Sequence, residues 1–307
     1  MSQQLSSPPT YRSEAVRVRV PASSANLGPG FDCFGLALTL HDVVEAQVQA
    51  DGLALSVEGE GAHTVNRDGR HLVVRAMNEC FAKLGGPPPG LRVACRNAIP
   101  HGRGMGSSSA AIVAGIVAAR ALCVDGEQRM DDVALLRLAT ELEGHPDNVA
   151  AAIAGGFTLA WTEADGPHLI RLEASPEVSP VVFVPSTELS TRKARGLLPR
   201  TVPHADAAAN AGRAALLVEA LTRNPELLLV ATEDRLHQDY RGPAMPASLD
   251  LIQRLRADGV PATVSGAGPS VLALATRDTV EKVAGLAGEG WRVHRLSVDP
   301  LGATVLS

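Results

Sequence analysis

Ile99-Pro100-His101-Gly102-Arg103-Gly104-Met105-Gly106-Ser107-Ser108-Ser109-Ala110-Ala111 sets three glycines at alternate positions directly before three serines, and small apolar residues follow. Glycine takes positive φ at little cost and lets a ligand approach bare backbone. The serines stand where a helix would begin, so free N–H groups and the positive end of the helix dipole would face the glycines. Such a cradle suits an anion, most often a phosphate. A Gly-rich turn ahead of an N-capping serine is also ordinary α/β architecture. The stretch has neither the Gly-Lys-Ser/Thr ending of a P-loop nor the dinucleotide fingerprint.

Working outward, Ser107 to Cys123 is rich in Ala, Val, Ile and Gly, which predicts a helix buried nearly all round. Leu91 to Cys95 is a short strand feeding the loop, and Leu72 to Leu84 is a helix closed by Gly85-Gly86 before Pro87-Pro88-Pro89. Val43 to Ala50 and Leu53 to Val57 read as a hairpin about Asp51-Gly52. Val16, Val18 and Val20 alternate with Arg17 and Arg19 as a strand that Pro21 stops. A turn-rich loop from Ala22 to Asp32 follows. It holds Asn26 and Asp32 around Gly28-Pro29-Gly30, although Asn and Asp are common in loops for local backbone bonding alone.

Downstream, Asp131 or Asp132 caps a helix through Glu143, with Gly144 as its left-handed stop. In Glu143-Gly144-His145-Pro146-Asp147-Asn148, Asp147 or Asn148 opens a short apolar helix ending at Gly155-Gly156. Taken alone, Asp147 is an N-cap and Glu143 a solvated last-turn residue. Gly156 to Thr162 is a strand, and the polar turn after it divides the chain into domains 14–165 and 166–300. The second half carries a strand at Val181 to Pro185, a cationic patch at Ser190 to Arg195, and helices at 206–222, 246–258 and 279–287. A further helix starts at Asn224-Pro225. Two strand-like runs flank the glycine turn of Ala262 to Leu274, and Trp291 to Val298 closes the chain. Such alternation suggests two α+β sandwiches.

Composition narrows the function classes. The chain has 307 residues, 45% hydrophobic and 20% charged, with net charge −5. No basic run appears and aromatics are 3%, which argues against a nucleic-acid surface. No apolar run is long enough to span a membrane. Cys33, Cys80, Cys95 and Cys123 fit no metal-ligand spacing and read as reduced residues of a cytoplasmic protein. The first dozen residues, polar and Pro-containing, read as a floppy tail without the apolar core of a signal peptide.

Three separated signatures stand in order: SSANLGPGFDCFGLAL, PHGRGMGSSSAA and SGAGPSVLAL. Together they resemble the GHMP kinase superfamily of small-molecule ATP-dependent kinases. SANLGPGFD with EGHPDNVAAAI and STRKAR is similar to its homoserine kinase branch. The resemblance implies a two-domain α+β fold, with a ribosomal protein S5 domain 2-like N-terminal domain and a ferredoxin-like C-terminal domain. The substrates would be ATP and L-homoserine, and the metal Mg²⁺. Family members are often homodimers.

Carried onto this chain, the nucleotide loop is Pro100, His101, Gly102, Arg103, Gly104, Met105, Gly106, Ser107, Ser108, Ser109 and Ala110. The resemblance makes Ser108 and Glu143 the Mg²⁺ ligands, with Glu141 as the alternative carboxylate. Arg195 and Arg241 would clamp the substrate carboxylate, and Asp32 would hold its ammonium group. Asn26, Asn148 and Thr191 would orient the acceptor. Asn148, Glu143 and Arg195 are the expected catalytic residues. A carboxamide cannot act as a base, so the resemblance points to catalysis by positioning and charge neutralisation, with Asp147 as the alternative base. The other functions compatible with these residues are a different GHMP kinase, of mevalonate or sugar type, or a catalytically silent metabolite binder.

Overall fold

Alternating valines open strand β1 (Val16–Asn26) of a computed structural model that describes residues 8–306. Val18 and Val20 are fully buried. Pro21 does not stop the strand. A register shift between Pro21 and Ala22 accommodates the missing N–H, and the pairing with β2 (Gly30–Gln49) runs on to Asn26. The expected loop of residues 22–32 is therefore mostly strand, closed by a tight turn at Leu27–Pro29.

The expected hairpin about Asp51-Gly52 is not one. The chain turns there into β3 (Gly52–Gly59), but after helix α1 (Leu72–Leu84) strand β4 (Gly90–Asn97) inserts between the arms. β4 pairs antiparallel with β2 and parallel with β3. The reason is burial: β4 buries Leu91, Val93 and Cys95, whereas most of β3 is exposed and suits an edge. Helix α1 ends as expected at Gly85, left-handed at φ 113°.

The Ala-rich α2 (Ser107–Leu122) packs against α1 and β1 in the main core. The short α3 (Gly126–Arg129) leads to α4 (Asp132–Glu143), whose N-cap Asp131 accepts from Ala134 N at 2.8 Å. Helix α5 (Asp147–Ala154) and strands β5 (Phe157–Glu163) and β6 (Gly166–Leu172) follow. β5 pairs with both β2 and β6. The division expected after residue 165 thus falls in a hairpin turn, and β6 belongs to the first sheet. Polar turn residues mark hairpins as readily as linkers.

The remaining elements are β7 (Val178–Pro185), α6 (Thr191–Arg195), α7 (His204–Thr222), α8 (Leu228–Ala231), α9 (Gln238–Arg241), α10 (Pro246–Ala257), β8 (Ala262–Val264), β9 (Val271–Thr276), α11 (Val280–Ala284), β10 (Trp291–Arg295) and β11 (Thr304–Leu306). The second sheet runs β10-β7-β9-β8, all antiparallel. Counting its strands in chain order gives the ferredoxin-like arrangement 4-1-3-2. β11, which the sequence pattern did not announce, returns to pair with β1. Asp299 pins that return: it meets His41 Nε2 at 2.6 Å and accepts from the backbone N–H of Leu301 and Gly302.

The expected floppy tail is docked where it is described. Tyr11 bridges to Cys123, sets its ring edge-on to Phe81 at 5.5 Å and donates its hydroxyl to Gly86 O. Residues 1–7, the rest of that tail, lie outside the described residues. Cys80, Cys95 and Cys123 are buried, Cys33 is exposed, and all four are free thiols.

Candidate active site

The three signatures meet in one place. Gly102, Gly104 and Gly106 all take positive φ, at 63°, 75° and 70°. A Cβ on Gly104 would lie 2.3 Å from Ser265 O, and one on Gly106 would lie 2.0 Å from Ser23 Oγ. Only glycine fits both positions. The loop is wedged between β1 and the β8–β9 turn, with Ser23 N donating to Met105 O and Ser265 Oγ donating to Gly104 O. Met105 is fully buried. Arg103 spends its guanidinium on Pro185 O, Ser186 O, His101 O and Glu188, stapling the loop to the second unit. Those two side chains hold the loop rather than face a ligand.

The serines do not cap the helix. Gly106 is the N-cap of α2, and no side chain closes the helix start. Ser108 Oγ and Ser109 Oγ instead donate to the two oxygens of Glu143, at 2.8 and 2.9 Å. Glu143 is therefore no solvated last-turn residue. Burial pushes its pKa up, opposed by the two serine hydroxyls and by His145. Glu141 is exposed and pairs with Lys83 at 3.8 Å, away from the loop.

Two cavities share Ser107 and Ser108. The larger, about 300 Å³, is lined by Asp42, Asn66, Arg70, His71 and His101 beside the start of α2. The smaller, about 110 Å³, brings together Asn26, Glu143, Asn148, Thr191, Arg195 and Arg241. Those six come from four separate stretches of sequence.

At the smaller cavity several expected ligands hold one another, including Asp32, which does not itself line the cavity. Arg195 donates to both oxygens of Asp32, at 2.6 and 2.9 Å. Asn26 has φ 69°; its Oδ1 accepts from Asp32 N at 3.0 Å and its Nδ2 donates to Gly266 O at 2.8 Å. Asn148 Oδ1 accepts from Ser23 Oγ at 2.8 Å. Asp147 is not the N-cap expected from its position. Pro146 is, and the buried Asp147 carboxylate accepts from Asn148 N and meets His145 Nδ1, each at 2.7 Å. For His145, burial disfavours the charge, but the hydrogen bond and charge of Asp147, with Glu143, raise its pKa on balance. Thr191 opens α6 beside Ser190, whose Oγ accepts from Lys193 N.

Arg241 is almost wholly buried, at 1% exposure. Its Nη1 donates to Gly266 O at 3.2 Å and to His237 Nδ1 at 3.1 Å, and its Nε has no partner among the described residues. Burial and the neighbouring Arg195 lower its pKa. Both guanidiniums sit over the Phe31 ring, at 5.7 Å for Arg195 and 5.4 Å for Arg241. Sequence reasoning missed Phe31, His237, Ser23 and His145. Ser23, Phe31 and His145 stand inside the signatures SSANLGPGFD and EGHPDNVAAAI without having been singled out there, and His237 stands in no motif at all.

The chain matches the family described as GHMP kinases N terminal domain over residues 71–156 and GHMP kinases C terminal over residues 206–286. It is 63% identical over 298 residues to a homoserine kinase of Streptomyces avermitilis, covering 97% of this chain and 98% of that protein. To a homoserine kinase of Clavibacter michiganensis subsp. michiganensis it is 52% identical over 296 residues, covering 94% and 93%. The crystal structure of homoserine kinase from Cytophaga hutchinsonii superposes with a TM-score of 0.85 at 25% identity, covering 100% of both chains.

Proposed function

This chain belongs to the homoserine kinase family of GHMP kinases, and from that premise we propose how its residues share the work. The enzyme transfers the γ-phosphoryl group of ATP to the side-chain hydroxyl of L-homoserine, yielding O-phospho-L-homoserine on the route to threonine. The observation that carries the division of labour is the pair of cavities joined at Ser107 and Ser108. ATP takes the larger cavity, and its phosphates reach past Ser107 and Ser108 into the smaller one, against the backbone of Gly104 to Ser108 at the start of α2. L-Homoserine takes the smaller one.

Ser108 and Glu143 fit a Mg²⁺ ion: they are hard oxygen donors 2.8 Å apart, beside the helix start where phosphates would lie. When bound, the ion supplies positive charge to the phosphate oxygens. Arg195 and Arg241 bind the acceptor's carboxylate, a task suited to guanidinium forks, and Asp32 binds its ammonium group. Because Asp32 and Arg195 hold each other, an amino acid that brings both charges replaces both halves of the pair at once.

Asn148 aligns the acceptor hydroxyl but cannot take its proton. Asp147 is already engaged by His145 and by Asn148 N, which supports a mechanism without a dedicated base. The rate enhancement then comes from alignment and from charge at the transferring group. Among the described residues no helix is long and apolar enough to cross a membrane. Together with four free thiols, this supports a cytoplasmic enzyme acting on a small molecule.

The test is ADP release with L-homoserine, Mg²⁺ and a panel of other acceptor alcohols. Turnover restricted to L-homoserine is expected. Activity on mevalonate with none on L-homoserine would overturn the acceptor assignment.

A further inference from the structure

We propose that His237 is a positioning residue for this reaction: it aims Arg241 at the acceptor's carboxylate and so sets the preference for acceptors that carry one. The role rests on Arg241 binding that carboxylate.

His237 is fully buried and does not line the acceptor cavity. It precedes α9, and Arg241 ends that helix one turn later, so the two side chains share a face. Its hydrogen bonds define its tautomer. Nε2 lies 2.8 Å from Gly28 O, a carbonyl that only accepts, so Nε2 carries the proton. Nδ1 then has a lone pair, and it takes the Nη1 proton of Arg241 at 3.1 Å. A guanidinium only donates, so the two assignments agree.

One further contact holds the ring itself, and three hold the backbone that carries it. It stacks on Phe31 with centroids 5.2 Å apart. Asp234 Oδ2 accepts from the backbone N–H of His237 and of Gln238. Arg241 N donates back to His237 O at 3.1 Å. The imidazole is thus a fixed post between the β1–β2 turn and α9.

Arg241 needs such a post. Its long side chain has many rotamers, and Arg195 stands over the same Phe31 ring. Gly266 O holds Nη1 from one side only, at 3.2 Å. With His237 on the other side, Nη1 is fully committed to the protein. The unpartnered Nε and the rest of the fork remain for an anion in the cavity.

The experiment compares L-homoserine with L-homoserine amide, an acceptor of the same size without the carboxylate charge, in wild type, His237→Phe and His237→Asn. His237→Phe removes a hydrogen bond to a charged group, so KM for L-homoserine should rise about tenfold to a hundredfold. KM for ATP should stay within about twofold, and kcat/KM for the amide should barely move. The homoserine-to-amide preference therefore collapses. In His237→Asn the amide oxygen can accept from Arg241, and most of the preference should return. If His237→Phe does not fold, His237→Gln replaces it, because its amide reaches Gly28 O and leaves the Nδ1 position without an acceptor. An unchanged preference, or equal losses on both acceptors and on ATP, would overturn the proposal and leave His237 a packing residue. Failure of the wild type itself to use L-homoserine would instead sink the acceptor assignment, and the proposal with it.

Discussion

The two ends of the active site are built differently. The phosphate end is made from backbone: a glycine loop, a helix start, and one carboxylate held by two serines of that same helix. The acceptor end is made from side chains drawn from distant segments, held by one another and by the backbone and side chains around them. A backbone cradle is indifferent to what else the ligand carries, so it can serve ATP in every GHMP kinase. A side-chain cluster can be re-paired one residue at a time. On the proposed division of labour, transfer chemistry falls to the first and selectivity to the second.

Breaking the phosphate end should cost most. Glu143→Ala should reduce kcat by roughly a hundredfold to a thousandfold, in the range for loss of one charge-stabilising group. Steady-state ADP release at saturating ATP and L-homoserine, with Mg²⁺ varied, checks this. If Glu141→Ala is just as damaging, the wrong carboxylate has been assigned.

Arg241→Met should come next and should act at the other end. Removing a buried, hydrogen-bonded charge costs about 3 kcal/mol, appearing chiefly in KM for L-homoserine. A comparable rise in KM for ATP would erase the distinction between the two ends.

Asp42 tests the supports of the phosphate end. Its Oδ1 accepts from Ala98 N and Ile99 N, just before the loop, at 2.7 and 2.9 Å. Burial raises its pKa to about 6, against the lowering effect of those two N–H groups. The unfolded chain releases this proton near pH 4 and the folded chain only near pH 6, so stability should fall as pH rises through that window. The loss is about 3 kcal/mol, persists above pH 6, and should be absent in Asp42→Asn. Urea unfolding of both proteins at pH 4 and pH 7 measures it, and an equal gap between them at the two pH values would contradict it.

The smallest effect should be at Asp147. Without a base role, Asp147→Asn should leave kcat within about threefold, under about 1 kcal/mol. A collapse of kcat in a folded variant would restore Asp147 as the base and give the acceptor end a chemical step of its own.

The same contrast explains what could be read before the structure. The phosphate loop, α1 from Leu72 to Leu84 and the Gly144 stop are local, and local spacing announced them. Strand partners are not local. The alternation in Val43 to Val57 named two strands correctly, yet nothing there told of β4 inserting between them. Likewise, Asp32 and Arg195 are 163 positions apart, and no periodicity links them. Resemblance put both forward for the site but gave no sign of their mutual grip. His237 sits in a stretch with no pattern at all, and its meaning comes only from Gly28 O and Arg241 on either side.

The return of β11 to β1 has a consequence for biogenesis. Arg17 emerges from the ribosome well before its strand partner Leu306, which is made only after both sheets' other strands. Until then β1 has an open edge, and open edges invite the wrong neighbour. The first sheet cannot be sealed by the portion of chain that codes most of it. Nascent chains stalled before residue 304 should therefore linger as clients of chaperones, although every residue proposed for the catalytic site has already been translated.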